Sequence, residues 1–171
     1  PAEPTQEVYF DSSSLNSLSF KAGEELNLPI LYTTSDNQNE LSGLGLKVHY
    51  DSSKLAPSGD NNGVTTSLNN LGIGNYDDTD NLDKDTNTDK YISISWVDFM
   101  AKFPGGDLPA KLADIKFNVL SDLNSDTTKI RLSSSAPAEN YSFKGADLQI
   151  GEVKPAEPTQ EVYFDSSSLN S

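Results

Sequence analysis

Residues 43–50, GLGLKVHY, carry the pattern that decides the fold class, because an apolar side chain stands at every second position. Successive side chains of a β-strand point to opposite faces of its sheet, so a period of two predicts a strand with one core face and one solvent face. The predicted core face carries Leu44, Leu46, Val48 and Tyr50. The other face carries Gly43, Gly45, Lys47 and His49. We therefore expect His49 to be an ordinary exposed or hydrogen-bonded histidine rather than a ligand, and the two glycines leave a strip of little side-chain bulk.

The same alternation recurs on both sides of this stretch. Its apolar positions are Leu26, Leu28, Ile30 and Tyr32, and later Ile92, Ile94 and Trp96. Trp96 is therefore expected in the core rather than on a sugar-stacking surface. Weaker patterns predict strands at 7–10, 17–20, 112–120, 128–133 and 147–153, and a short helical turn near 97–103. About eight or nine short strands separated by Gly, Asn, Asp and Ser predict an all-β, two-sheet antiparallel sandwich with jelly-roll or immunoglobulin-like topology.

Composition excludes several classes of protein. The chain has 171 residues, 26 acidic and 12 basic side chains, a net charge of −14, one histidine and no cysteine. Without cysteine there is no disulfide framework, thiolate metal site or cysteine nucleophile. The negative surface disfavours nucleic acid and anionic membranes, and no apolar run is long enough for a membrane span. Because no nucleophile elbow or phosphate loop is present either, we expect a non-enzyme.

One segment occurs twice. Residues 1–17, PAEPTQEVYFDSSSLNS, are repeated without change at 155–171, an offset of 154 residues. An offset of domain length indicates one repeat of a tandem array followed by the opening of the next, with an engineered duplication as the alternative.

This repeat sets the predicted domain limits: a linker at 1–5, a sandwich domain at 6–153, a Pro-containing linker at 154–160, and the first strand of a second repeat at 161–171. A strand without its own domain is expected to pack on the edge of this domain or of a neighbouring molecule.

Three stretches carry a further pattern of successive strands: residues 22–30 (AGEELNLPI), residues 41–55 (with LSGL, then VHYDSSKL), and residues 112–119 (LADIKFNV). In this order they resemble the strands of cohesin domains. The resemblance covers about 110 residues and implies a nine-stranded jelly-roll sandwich. Cohesin-like modules also occur as tandem repeats in large bacterial surface proteins. The acidic stretch between the second and third motifs departs from the cohesin pattern.

That acidic stretch lies within a segment, 59–90, in which the alternation stops and Gly, Asn, Thr and Asp dominate, as a long loop requires. Residues 77–90 contain six aspartates and two lysines. Clustered carboxylates repel one another, and a bound dication relieves the repulsion. Oxygen ligands without sulfur or imidazole select calcium. The structural alternative is a solvated acidic loop that binds nothing specific.

The predicted calcium ligands stand at alternate positions from 83 to 89, with a further alternate pair upstream at 78 and 80. They are Asp78, Asp80, Asp83, Asp85, Asn87 and Asp89, with Asp77 and Asp98 as weaker candidates and Asp60 or Asn61 as further ones. The loop is not an EF-hand, because Thr88 stands where its glycine is required and Ile94 where its bidentate glutamate is required. Calcium bound here would order the loop and position the following strand.

Together these features predict a calcium-binding structural or adhesive repeat of an extracellular or cell-surface bacterial protein. Its expected partners are calcium and neighbouring repeats or copies of itself through residues 155–171. The alternative function is a recognition module, either of the cohesin type or for carbohydrate.

Overall fold

The computed structural model describes residues 3–15 and 18–152, and the regular secondary structure in this part of the chain is β-strand apart from two short 3-10 turns. Its strands, in chain order, are β1 (Thr5–Phe10), β2 (Glu25–Thr34), β3 (Glu40–Leu41), β4 (Gly43–Tyr50), β5 (Leu55–Pro57), β6 (Val64–Thr65), β7 (Asn70–Asp77), β8 (Lys90–Val97), β9 (Phe103–Pro104), β10 (Ala110–Val119), β11 (Thr127–Ala136), β12 (Ser142–Gly145) and β13 (Leu148–Gly151). Short 3-10 turns occupy Ser12–Ser14 and Asp60–Gly63.

Two sheets pack against each other around one apolar core. The first has the order β12-β1-β2-β10-β5, with β6 also paired to β10, and the second has the order β13-β11-β4-β8-β7. Strands β3 and β9 form a small separate pair. The strand pairs of the described residues are antiparallel except that β1 and β12 run parallel. The predicted all-β, two-sheet antiparallel sandwich is therefore confirmed, with one parallel pair at the edge of the first sheet that the sequence did not indicate.

The alternation in the sequence places the core correctly. In β4, Leu44, Leu46, Val48 and Tyr50 are all at most 2% exposed. Trp96 of β8 is 1% exposed, and its indole N–H donates to Thr66 Oγ1 at 3.2 Å. The polar end of this side chain therefore has a partner inside the sandwich, and the prediction that Trp96 belongs to the core is confirmed.

Several sequence predictions need correction. The described residues contain thirteen strands, more than the eight or nine expected, because short strands such as β3, β6 and β9 carry no alternation. Residues 18–20 form no strand, although Leu18 and Phe20 still pack against the core. The region 97–103 contains a hydrogen-bonded turn, with Ala101 N–H donating to Asp98 O at 2.9 Å, and no helix.

The predicted long loop at 59–90 is also shorter than expected, because β6 and β7 lie within it. Strand β7 has the sequence NLGIGNYD and pairs with β8 from Asn70 to Asp77. It is an edge strand with little burial, so its composition of glycine and asparagine does not show a strand pattern. Only residues 78–89 remain as an irregular excursion between β7 and β8. The predicted linker 154–160 and strand 161–171 lie outside the described residues.

Candidate functional site

The outer face of the second sheet carries a strip of very small side chains. Since Leu46, Ile92 and Ile94 point into the core, the residues between them on each strand point outward. The strand register then brings Gly45 opposite Ser95 on β4 and β8, and Gly72 and Gly74 opposite Ser95 and Ser93 on β7 and β8. We call this set, Gly45, Gly72, Gly74, Ser93 and Ser95, the Gly/Ser strip.

Exposed apolar side chains border the Gly/Ser strip. A groove of about 360 Å³ is lined by Leu71, Ser95 and Pro137 among others, and a second groove of about 270 Å³ lies between Leu71, Ser93 and Tyr76. Leu71 is 70% exposed and Tyr76 is 54% exposed. Leu71 projects because the register between β7 and β8 shifts between Asn70 and Gly72, which leaves Leu71 as the extra residue of a bulge. Gly45 is itself buried beside Ala136, and the ring of Tyr76 lies over Gly74. The accessible part of this face therefore consists of Gly72, the partly exposed Ser93 and Ser95, and the exposed side chains of Leu71 and Tyr76.

One end of the same outer face is covered by the acidic loop, residues 78–89. His49, which the alternation placed on the solvent face, is completely buried there. Its Nδ1 lies 3.1 Å from Asp78 Oδ2, and its Nε2 lies 2.7 Å from Ser133 Oγ on β11. The expectation of a hydrogen-bonded histidine is confirmed, but the expectation of a solvent face is wrong at this position because the loop folds over it.

Hydrogen bonds within the acidic loop give it a defined shape. Backbone N–H of Asp78 donates to Asp89 O at 2.8 Å, which closes the base of the loop. The Leu82 N–H donates to both carboxylate oxygens of Asp78 at 3.0 and 3.2 Å. Thr88, only 2% exposed, donates its hydroxyl to Asp83 Oδ2 and to Asp85 O. These hydrogen bonds hold the base and the interior of the loop.

The structure brings together two of the predicted metal ligands. Asp78 and Asp83 side chains are 1% and 2% exposed, and one oxygen of each lies with His49 Nδ1 in a group whose atoms are all within 4.8 Å of one another. Asn81, in the same loop, has a buried Oδ1 with no hydrogen-bond partner among the described residues.

The remaining predicted ligands lie elsewhere, each with a different environment. Asp85 accepts from Arg131 Nε at 2.8 Å, Asp89 accepts from Ser52 N–H at 2.8 Å, and Asp77 pairs with Lys90 Nζ at 2.9 Å. Asp98 accepts from Met100 N–H at 2.8 Å in the turn after β8. The side chains of Asp80 and Asn87 are exposed on the loop, and Asp60 and Asn61 lie in the second 3-10 turn.

Burial and charge act in opposite directions on His49. Loss of solvent lowers its pKa, and this outweighs the nearby carboxylates of Asp83 and Asp78, which raise it. The imidazole is therefore neutral at pH 7. In this form Nδ1–H donates to Asp78, and Nε2 accepts from the Ser133 hydroxyl. The hydrogen bond from Arg131 holds the pKa of Asp85 below its usual range.

No protein-family model and no curated protein matches this chain. Solved structures do match over nearly the whole domain. The cohesin CaCohA2 from Clostridium acetobutylicum is 18% identical over 87% of this chain and 91% of its own, with a TM-score of 0.54. The chain has a cohesin-like fold.

Two further cohesins support the same assignment of the jelly roll. The cohesin module of a family 33 glycoside hydrolase from Clostridium perfringens is 7% identical over 88% of this chain and 97% of its own, with a TM-score of 0.52. The sixth cohesin of scaffoldin B from Acetivibrio cellulolyticus, solved with the Cel5 dockerin, is 13% identical over 82% of this chain and 96% of its own, with a TM-score of 0.51. The cohesin resemblance inferred from the sequence motifs is therefore confirmed at the level of fold.

Sequence reasoning missed the residues of this cohesin-like domain that anchor the acidic loop from outside it. His49, Ser52, Arg131 and Ser133 all contact the loop, but they come from β4, the turn after it, and β11. The sequence signals for these contacts were the sole arginine, Arg131, and the sole histidine, His49, either of which could pair with an acidic residue of the loop. No helix of the described residues is long and apolar enough to cross a membrane.

Proposed function

We propose that this cohesin-like domain is a non-enzymatic protein-recognition module that binds a partner domain through the Gly/Ser strip. The observation that carries the proposal is a sheet face on which Gly72, Ser93 and Ser95 are at least partly exposed beside the exposed side chains of Leu71 and Tyr76. Small side chains let a partner approach the sheet closely, and the two apolar side chains offer contact area at the edge. Exposed apolar groups rimmed by polar ones are typical of protein interfaces.

The partner that the comparisons favour is a dockerin. The matched structures include CaCohA2 in complex with CaDoc0917 and the third cohesin ScaC in complex with the ScaB dockerin. Because this chain has a net charge of −14, a partner with a neutral or basic contact surface is expected to bind best. Carbohydrate is the competing ligand, and Tyr76 is the aromatic side chain at the strip that could stack on it.

The test is a binding measurement with a blocked strip. Ser95 lines the larger groove and lies at the centre of the strip, so Ser95→Arg fills both with a long side chain. Asn118→Arg is the matched control, because Asn118 is exposed on β10 in the other sheet. Calorimetric titration against a panel of purified dockerins should show binding by the wild type and by Asn118→Arg, and a loss of about 100-fold or more for Ser95→Arg.

Two results would contradict the proposal. Equal weakening by both arginine substitutions would place the contact outside the strip. Binding to a glycan array with no response to any dockerin would replace protein recognition with the carbohydrate alternative.

A second proposal concerns the acidic loop, where we expect a divalent cation, calcium, to bind at Asp78 and Asp83. Two buried carboxylates and the unpartnered Asn81 Oδ1 in one loop support this, since they are hard oxygen donors. The imidazole of His49 fits calcium less well and suits a metal such as zinc. The residues present thus fit a divalent cation. Binding by the oxygen atoms alone would favour calcium, whereas binding that includes the His49 imidazole would favour zinc.

Thermal unfolding distinguishes these cases. A cation that binds only the folded state adds about 2.7 kcal/mol at a hundredfold excess over its dissociation constant. The melting temperature should therefore rise with calcium, fall with chelator, and lose its calcium response in Asp83→Asn but not in the control Asp98→Asn. A response to zinc alone, abolished by His49→Gln, would replace calcium; no response to either ion would refute the site.

The wider context is also part of the proposal. The repeat of residues 1–17 at 155–171, the acidic composition and the extracellular setting of cellulosomal cohesins support a module of a tandem array in a secreted or cell-surface bacterial protein. In such an array, residues 155–171 would contact a neighbouring repeat or another copy of the chain. Light scattering of the full chain against a chain ending at Lys154 measures that self-association.

A further inference from the structure

We infer that residues 159–164 act as a donor strand for the position that β1 occupies in a second copy of this chain. The inference deepens the self-association proposed above and rests on that part of the proposed function. It is independent of the Gly/Ser strip, because β1 belongs to the other sheet. Its basis is the identity of residues 159–164, TQEVYF, with the whole of β1.

The position of β1 is a slot between two strands. On one side β1 pairs antiparallel with β2, from Gln6 opposite Thr34 to Phe10 opposite Ile30. On the other side it pairs in parallel with β12, from Thr5 opposite Ser142 to Val8 opposite Gly145. A strand with two neighbours has most of its backbone groups paired, so whatever fills this slot must be a strand of the same length and orientation.

Side chains of β1 select the sequence that fits the slot. Gln6 is completely buried; its Nε2 donates to Tyr32 Oη at 2.8 Å and to Gly43 O at 3.0 Å, and its Oε1 accepts from Ala138 N–H at 2.8 Å. Val8 and Phe10 are 1% and 8% exposed in the core. A segment must therefore supply glutamine and two apolar side chains at alternate positions, because an unmatched buried polar group is destabilising.

Residues 159–164 meet these requirements position by position. Gln160, Val162 and Phe164 repeat Gln6, Val8 and Phe10, and the identity extends through the flanking residues on both sides. A copy of β1 seated in the slot would make every backbone and side-chain contact that β1 makes. The exchange of one for the other therefore changes no contact within the sandwich.

The direction of the chain favours insertion of residues 159–164 into the slot of a second molecule over insertion into the slot of their own domain. Strand β12 starts level with Thr5 and runs alongside β1 in the same direction, and the chain continues through β13 until Gly151 N–H meets Leu18 O at 2.6 Å. Gly151 thus lies beyond the Phe10 end of β1, whereas the copy must enter at the Thr5 end. Seven residues from Glu152 reach at most about 25 Å, so a return within one domain needs a nearly fully extended connector.

Mass action explains when exchange occurs. Exchange between separate molecules gains no contact but loses the entropy of two free molecules. In dilute solution the slot is therefore expected to be filled by β1 of the same domain. A substitution that prevents β1 from fitting the slot removes this preference for β1 of the same domain. High local concentration, as in a tandem array or on a surface, reduces the cost as well.

The two identical copies provide matched variants of the full chain. Val8→Asp places a carboxylate in the core and disables β1, whereas Val162→Asp makes the same change in the copy. Val8→Asp should form head-to-tail oligomers by light scattering, with a urea midpoint that rises toward the wild-type value as protein concentration increases. Val162→Asp should stay monomeric with the wild-type midpoint, and the double variant should be destabilised at every concentration.

A direct complementation supplies the second measurement. A synthetic peptide of residues 155–171 should restore the urea midpoint of the double variant, and the same peptide with aspartate at position 162 should not. Val8→Asp and the double variant behaving alike, with no rescue by peptide, would overturn the inference. A Val8→Asp monomer with wild-type stability at all concentrations would overturn its intermolecular form. Dockerin titration of Val162→Asp reports on the strip separately, so failure of one proposal is distinguishable from failure of the other.

Discussion

His49 and Asp78 are 29 residues apart in the chain, yet His49 Nδ1 lies 3.1 Å from Asp78 Oδ2 in a position closed to solvent. This contact fastens the acidic loop to the outer face of the sheet that carries the Gly/Ser strip. It divides that face into an end covered by the loop and an end that the loop leaves uncovered, where Gly72, Ser93 and Ser95 are at least partly exposed.

Removal of the Asp78 carboxylate should loosen the loop. Asp78→Ala leaves the buried His49 Nδ1–H and the Leu82 N–H without their acceptor. We expect a loss of about 1–3 kcal/mol in the free energy of unfolding, measured by urea denaturation with chelator present. Asp80→Ala is the control, since this exposed neighbour should change stability by no more than about 0.5 kcal/mol. Equal effects of the two changes would show that the histidine contact contributes nothing.

Arg131 joins the loop to β11 and should contribute measurably to stability. Its Nε lies 2.8 Å from Asp85 and its Nη1 lies 2.7 Å from Asp147, with the arginine side chain 25% exposed. Arg131→Gln should cost about 1–2 kcal/mol in low salt and less in high salt, because salt screens partly exposed charges. Lys129→Gln, on the same strand, is the control for loss of one positive charge. A salt-independent result would argue against an electrostatic role.

Gly43 should tolerate no side chain. Its φ is +144°, and a Cβ built there would lie 2.1 Å from Trp96 O, a backbone atom of the neighbouring strand. Gly43→Ala is therefore expected to destabilise the domain by about 2–4 kcal/mol in thermal or urea unfolding. Gly72→Ala is the matched control, because a Cβ at Gly72 meets no atom within 4 Å. A neutral Gly43→Ala would mean that β4 and β8 are less closely paired than the structure shows.

The Asp36–Tyr141 pair should be visible in an alkaline titration. Burial and the hydrogen bond that Tyr141 donates to Asp36 Oδ2 at 2.5 Å raise the pKa of Tyr141 to about 12. An unfolded tyrosine titrates near pH 10, so between about pH 10 and 12 the unfolded state loses a proton that the folded state keeps, and stability falls as pH rises. Asp36→Asn should move the pKa of Tyr141 back toward 10, as followed by phenolate absorbance. Tyr141→Phe identifies its signal; an unchanged transition in Asp36→Asn would rule out the pair.

Much of the fold was predictable from local sequence. The period of two in β2, β4 and β8 identified their core faces because a half-buried strand needs alternating apolar residues, and the cohesin-like motifs indicated the topology class. Strand β7 was not predictable in this way. It lies at an edge and buries little, so its glycines and asparagine read as a loop. The parallel pairing of β1 with β12 was not predictable either, because the alternation within a strand does not indicate which strand it pairs with or in which direction.

The candidate site, like the fold, was predictable from the sequence only in part. By itself, the sequence determined that acidic residues cluster between two strands, that β4 carries glycines on its outer face, and that the first segment of the domain is repeated. Only the tertiary structure decided that Asp78 and Asp83 turn inward to His49 while Asp85 goes to Arg131, and that the glycines of β4 and β7 line up with the serines of β8. The physical reason is that these contacts join strands distant in the chain, and strand register, which fixes them, depends on how the whole core packs.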